Sequence, residues 1–108
     1  MQIKIHTQHV ELSEERSAYF MEKFEKMTQW ADRLADESSE VRVDLIHQSA
    51  KKPEDAYECH LTLFVPHDKL RAEAHSDSLE NAVDDVLLKI KSQIERYKDK
   101  THHISERH

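Results

Sequence analysis

The segment KIKSQIERYKDK, residues 89–100, is basic although the whole chain is acidic. The 108 residues carry a net charge of -6, yet residues 86–108 contain six Lys/Arg and only three acidic side chains. On a helical wheel with about 100° per residue, one flank carries Lys89, Arg96 and Lys100, with Gln93 between them. Lys91 falls on the far side of the apolar sector. Rows of cations bind phosphate backbones because each contact releases counterions, so this flank indicates a polyanion-binding helix.

An earlier segment, which begins at Ser13 and ends near Ala35, sorts its charges in the same way. Its acidic residues lie opposite its apolar residues. One flank carries cations together with aromatic side chains: Arg16, Tyr19, Lys23, Lys26, Trp30 and Arg33. A single face of this kind is usually only a solvated helix surface. Two helices with the same order of charges favour a nucleic-acid surface, on which bases or riboses pack beside the cations.

Nine histidines raise the question of metal binding. Zinc takes three or four converging ligands, and no spacing of His, Cys, Asp or Glu here has a recognised metal pattern. We therefore expect no metal and no other cofactor. If the strands alternate as described below, the open face of the sheet would carry further candidate RNA contacts: Lys4, His6, Arg42, His60, Arg71 and His75. The histidine contacts would strengthen on protonation.

Catalytic arrangements find little support in the sequence. Cys59 and His60 are neighbours in a strand and therefore point to opposite faces, and we expect Cys59 in the core. Asp84 and Asp85 are adjacent in a helix and cannot face each other as an acid and base pair. The chain has no glycine, which disfavours the phosphate-binding loops of nucleotide-dependent enzymes. We expect a protein that is not an enzyme and has no small-molecule substrate.

Composition also predicts where the protein resides. A single cysteine suits a reducing compartment. The sequence has no long apolar run and no signal peptide, so we expect a cytoplasmic protein with no membrane partner.

Six elements must position the candidate residues. Alternating apolar and polar residues predict strands at MQIKIHT, EVRVDLIH, YECHLTLFV and LRAEAH, and helical spacing predicts the two helices. The order β-α-β-β-β-α indicates an α+β fold, a four-stranded sheet with both helices on one face. Phe24, Met27, Val86 and Ile90 should then be buried. We expect one domain over residues 1–100 and a flexible C-terminal tail over residues 101–108.

Two segments resemble the ribosome hibernation-promoting factor and ribosome-associated translation inhibitor family. VELSEERSAYFMEKFEKMTQWADRL is similar to its first helix, and LRAEAHSDSLENAVDDVLLKIKSQIERYKDK is similar to its last strand and helix. The resemblance implies a non-enzymatic protein that occupies the mRNA and tRNA channel of the small ribosomal subunit under stress or in stationary phase. Its partners would be the small subunit with its rRNA, and 70S ribosomes or ribosome dimers. The matching rRNA-facing positions are Lys23, Lys26, Arg33, Lys89, Arg96, Lys98 and Lys100.

The resemblance is to a short form of that family, because only THHISERH follows Lys100. Four residues depart from its usual pattern, and they bear on affinity more than on fold: Glu80, Asp85, Leu88 and Ser92. Two other function classes remain open. An α+β module that binds a protein partner through its acidic surface agrees with the net charge, and a metal-dependent enzyme rests only on the number of histidines.

Overall fold

The computed structural model of the chain describes residues 2–30, 40–65 and 68–106, with side chains described through residue 99. Its elements follow the predicted order β-α-β-β-β-α. They are β1 (Gln2–Gln8), α1 (Glu14–Trp30), β2 (Glu40–His47), a short 3-10 turn (Pro53–Asp55), β3 (Tyr57–Val65), β4 (Asp68–Ser76) and α2 (Leu79–Glu106). The α+β class is confirmed. β4 is longer than the predicted strand at both ends, and residues 31–35, where α1 was expected to continue, lie outside the described residues.

The four strands form one sheet in the order β1-β2-β3-β4. β1 is parallel to β2, which requires a crossover connection, and α1 lies in that connection. The remaining neighbours are antiparallel. The register aligns one apolar row across the sheet: Ile5, Val43, Leu61 and Ala72. Since alternate residues point to opposite faces, this row assigns the apolar residues of every strand to the same face.

Both helices cover that apolar face. Phe24 and Met27 of α1, and Val86 and Ile90 of α2, are completely buried in a single cluster with the inward residues of the strands. The predicted burial of all four side chains is confirmed. Cys59 belongs to the same cluster, as expected. The other face of the sheet has no helix among the described residues and carries mostly charged and polar side chains.

Serine caps begin both helices. The Ser13 Oγ accepts a hydrogen bond from the backbone N–H of Arg16 at 3.2 Å, and the Ser78 Oγ accepts one from Asn81 at 3.2 Å. Glu80, in the first turn of α2, directs its carboxylate to Arg16 of α1 and accepts a hydrogen bond from it. α2 then continues as a helix past residue 100, to Glu106.

The burial of α2 yields a direct test with two aliphatic residues. Ile90 is completely buried, whereas Leu88, two positions earlier, is 69% exposed. We expect Ile90→Ala to lower the free energy of unfolding by about 2–5 kcal/mol, since it leaves a cavity in the core. Leu88→Ala should change it by less than about 0.5 kcal/mol. Urea denaturation of both variants measures the difference, and similar losses would contradict the orientation of α2.

Candidate nucleic-acid interface

α2 separates the basic residues of this protein into two surfaces. Residues two positions apart on a helix differ by about 200° in direction, so Lys89 and Lys91 lie on opposite flanks. The Nζ of Lys91 lies 5.3 Å from the centre of the Trp30 ring on α1. The Nζ of Lys89 instead donates a hydrogen bond to the backbone oxygen of Glu73 on β4, at 2.8 Å. The wheel predicted this separation, and the structure supplies the neighbour on each side.

The flank that faces β4 closes the outer edge of the sheet. The Gln93 amide donates to the backbone oxygen of Arg71 and accepts from its backbone N–H at 3.2 Å, as a neighbouring strand would. Two residues further along β4, the backbone oxygen of Glu73 accepts the hydrogen bond from Lys89. Edge strands expose unpaired donors and acceptors, so these side chains both protect the edge and hold α2 beside it. The sequence placed Gln93 among cations without revealing this bond.

Cations line this junction, which we call the β4-edge belt: Lys69, Arg71, Lys89 and Arg96. Arg96 borders a cavity of about 290 Å³ that Asp68, Leu70, Gln93 and Tyr97 also line. Within the described part of the chain, neither Arg71 nor Arg96 has an ion-pair partner. Their guanidinium groups are therefore available to phosphate, which they can bind through two parallel hydrogen bonds.

The open face of the sheet continues the belt. A row of largely basic residues crosses all four strands. In order from β1 to β4, the paired residues are Lys4, Arg42, Thr62 and Arg71. Its β1 end is partly neutralised, because the Glu40 carboxylate lies 2.7 Å from the Lys4 Nζ and 3.2 Å from the Arg42 Nε. Lys4 accordingly lowers the pKa of Glu40. At the β4 end of the row, Arg71 has no carboxylate partner among the described residues.

The three histidines share the open face, as expected, but each lies beside a carboxylate. His6 is opposite Asp44, and His75 is opposite Glu58. The Nε2 of His60 is 3.1 Å from an oxygen of Glu58, and its Nδ1 is 3.9 Å from an oxygen of Glu73. The carboxylates beside His60 reduce the positive potential of this part of the face. Tighter RNA binding on protonation stays a prediction, with less electrostatic support than the arginines have.

Glu58 anchors the connection between β2 and β3 at the margin of this face. Its side chain is 5% exposed, yet every bond it makes is to a polar partner: Lys51 Nζ at 2.6 Å, Gln48 Nε2 at 3.0 Å and His60 Nε2 at 3.1 Å. The hydrogen bond from Lys51, followed by that from His60, holds the pKa of Glu58 below its ordinary value of 4.5. The ionised carboxylate therefore ties Gln48 and Lys51 of this connection to β3.

The lowered pKa of Glu58 predicts a pH-dependent contribution to stability. The folded state favours the ionised form, so the contribution is complete above pH 4.5 and is lost as the pH falls below it through the folded-state pKa. We expect Glu58→Gln to lower the free energy of unfolding by about 1–3 kcal/mol at neutral pH. The difference from wild type should shrink below about pH 4.5. Urea unfolding at a series of pH values measures it.

The matched control is Glu54→Gln, an exposed acid in the same connection for which the structure shows no side-chain partner. It should leave stability nearly unchanged at every pH. A Glu58→Gln effect that stayed constant down to pH 3 would mean that the charge of the carboxylate contributes nothing, and that shape alone explains the loss.

The remaining sequence-predicted cations lie on or near the helices. Lys23 binds Asp84, with its Nζ 5.1 Å from the centre of the Tyr19 ring. Lys26 is exposed, with its Nζ 3.5 Å from a Glu22 oxygen in the same helix. Lys98 is half-buried on α2. Arg33 and the side chain of Lys100 lie outside the described residues.

The described residues do not form a reactive thiol, a metal site or a membrane-spanning helix. Burial raises the pKa of the Cys59 thiol to about 12, which leaves it protonated and unreactive. Across residues 2–30, 40–65 and 68–106, no three His, Cys, Asp or Glu side chains converge as metal ligands. None of the helices in these ranges is long and apolar enough to cross a lipid bilayer.

The fold and its basic junction therefore define a small α+β domain with a cationic sheet edge. Residues 3–102 match the family described as sigma 54 modulation protein / S30EA ribosomal protein, and the chain belongs to that family. The family resemblance noted in the sequence is thereby confirmed. No curated protein sequence matches the chain at a significant level.

Solved structures show the same fold. A ribosomal subunit interface protein from Coxiella burnetii superposes with a TM-score of 0.72 at 18% identity, covering 91% of this chain and 98% of that one. The N-terminal domain of Protein Y from Thermus thermophilus gives 0.68 at 19% identity, with coverages of 90% and 99%. At such identities the likeness extends to the fold and not to individual site residues.

Proposed function

We propose that this protein is a cytoplasmic ribosome hibernation factor. It binds the rRNA of the small ribosomal subunit, occupies the channel used by mRNA and tRNA, and inhibits translation under stress or in stationary phase. It acts by binding and not by catalysis. Membership of the S30EA family supports the proposal, and one structural neighbour is itself described as a ribosomal subunit interface protein. Its partners are the small subunit with its rRNA, and 70S ribosomes or ribosome dimers.

The observation that carries this proposal lies on the β4-edge belt, where the guanidinium groups of Arg71 and Arg96 have no ion-pair partner among the described residues. Arg71 and Arg96 come from different elements, and the bonds of Gln93 to β4 hold those elements together. The basic row from Lys4 to Arg71 crosses three strand spacings, or about 14 Å. A surface of that length can contact several phosphates of one RNA strand, and RNA binding of this kind does not require an overall positive charge.

An acidic net charge favours the second candidate, a module that binds a protein partner through its acidic surface. Sedimentation of a cell extract through a sucrose gradient separates the two functions. A hibernation factor should migrate with small subunits or whole ribosomes. Presence only at the top of the gradient would support the protein-binding module.

Single charge reversals locate the RNA-binding surface. We expect Arg71→Glu and Arg96→Glu each to weaken binding to purified small subunits, because each removes a phosphate contact and adds a repulsive charge. Each should also flatten the dependence of log K on log salt by about 0.7–0.9. The matched control is Lys52→Glu, which changes the net charge equally in an exposed loop residue outside the belt.

Affinity measured across a series of salt concentrations decides between the outcomes. An equal loss in all three variants would show that the ribosome responds only to bulk charge. Full binding by the folded Arg71→Glu and Arg96→Glu variants would exclude the β4-edge belt as the contact surface. Since these side chains are exposed, urea unfolding should show that the variants remain as stable as wild type.

A further inference from the structure

The second basic surface of this protein lies between the two helices, and its cations form ion pairs with acidic side chains of α2. The helices run side by side in the same direction, because successive contacts follow both sequences in parallel. The Nη2 of Arg16 is 2.6 Å from a carboxylate oxygen of Glu80, and Lys23 binds Asp84. One heptad later the Trp30 ring receives Lys91. We call this row of contacts the interhelical seam.

The cations of the interhelical seam, Arg16 and Lys23, are ion-paired but remain partly exposed to solvent. Arg16 and Glu80 side chains are 43% and 41% exposed, and those of Lys23 and Asp84 are 27% and 51% exposed. The Asp84 carboxylate raises the pKa of Lys23, and Arg16 lowers the pKa of Glu80, so both pairs are ionised near neutral pH. Exposed pairs of this kind are weak, and a phosphate group can compete for their cations.

Aromatic rings accompany the same cations. The Lys23 Nζ lies 5.1 Å from the centre of the Tyr19 ring, and the Tyr19 side chain is 44% exposed. A cation beside an exposed aromatic ring is the arrangement that binds a phosphate while a base or ribose packs alongside. The seam thus has the chemistry of an RNA contact whose charges are satisfied internally.

We propose that the interhelical seam is a second RNA-contacting surface that Glu80 and Asp84 hold in a self-inhibited state. This inference rests on the proposed function and deepens it, because it names two acids that limit affinity for RNA. RNA phosphate must displace these carboxylates from Arg16 and Lys23. The β4-edge belt, whose arginines have no ion-pair partner within the described ranges, makes the first contact, and the seam contributes only where RNA reaches around α2.

Removal of the inhibiting carboxylates tests the proposal. Asp84→Asn should bind small subunits about two- to fivefold more tightly than wild type, and the same gain is expected for Glu80→Gln. Each freed cation that contacts a phosphate should steepen the salt dependence by about 0.7–0.9. The control is Asp85→Asn, an identical change at the next position, where the exposed carboxylate has no partner among the described residues.

A second substitution separates the seam from bulk charge. Lys23→Gln should cancel the gain of Asp84→Asn in the double variant, because it removes the cation that the acid had occupied. Equal gains in Asp84→Asn and Asp85→Asn, or a gain that persists in the double variant, would overturn the inference. A loss of affinity in Asp84→Asn would also overturn it, since the acid would then orient Lys23 for RNA.

The two proposals fail in different ways. If wild-type protein does not bind small subunits at all, the proposed function itself is wrong. If wild type binds, and the folded Asp84→Asn and Glu80→Gln variants bind no more tightly than Asp85→Asn, only the seam proposal is wrong. Circular dichroism and urea unfolding confirm that each variant is folded.

Discussion

The burial of a single sheet face beneath two parallel helices is the constraint on which the other features depend. The inward row that includes Val43 and Leu61 requires cover on one side, and Phe24 and Ile90 supply it from different helices. The charged side chains of the described strands and helices are then restricted to the open face, to the sheet edges and to the flanks of the helices. In a chain of 35% charged residues, these few surfaces must carry both signs of charge close together.

α2 divides those surfaces because of its position. It lies beside α1 on one flank and beside the outer edge of β4 on the other, so its polar residues meet different partners. On the β4 flank Lys89 and Gln93 bond to backbone groups, and neither Arg71 nor Arg96 has an ion-pair partner in the described part of the chain. On the α1 flank Glu80 and Asp84 meet the cations of α1 directly. The basic residues on the two flanks therefore present unequal positive potential.

The sequence predicts the strands and the inward residues well, because a two-residue alternation is a local property. Glu40–His47 and Tyr57–Val65 have the predicted bounds, and the helical wheel separated Lys89 from Lys91 correctly. Pairings between elements were not predictable in this way. Glu80 lies in the first turn of α2, where an acid commonly serves a local cap, yet it binds Arg16, 64 residues earlier in the chain. A wheel of one helix shows which residues share a flank, and only tertiary packing decides which neighbour that flank meets.

Such a charge distribution would let an acidic protein bind a polyanion selectively, as the proposed function requires. A net charge of -6 repels RNA at long range, especially at low salt, so the protein gains little from nonspecific attraction. Cations concentrated at one edge act only within about 10 Å, the screening length at about 0.1 M salt. Under the proposed function, RNA must therefore present its phosphates where Arg71 and Arg96 stand. A folded rRNA surface meets that requirement with fixed geometry, whereas a flexible RNA strand must first lose conformational freedom, which disfavours its binding.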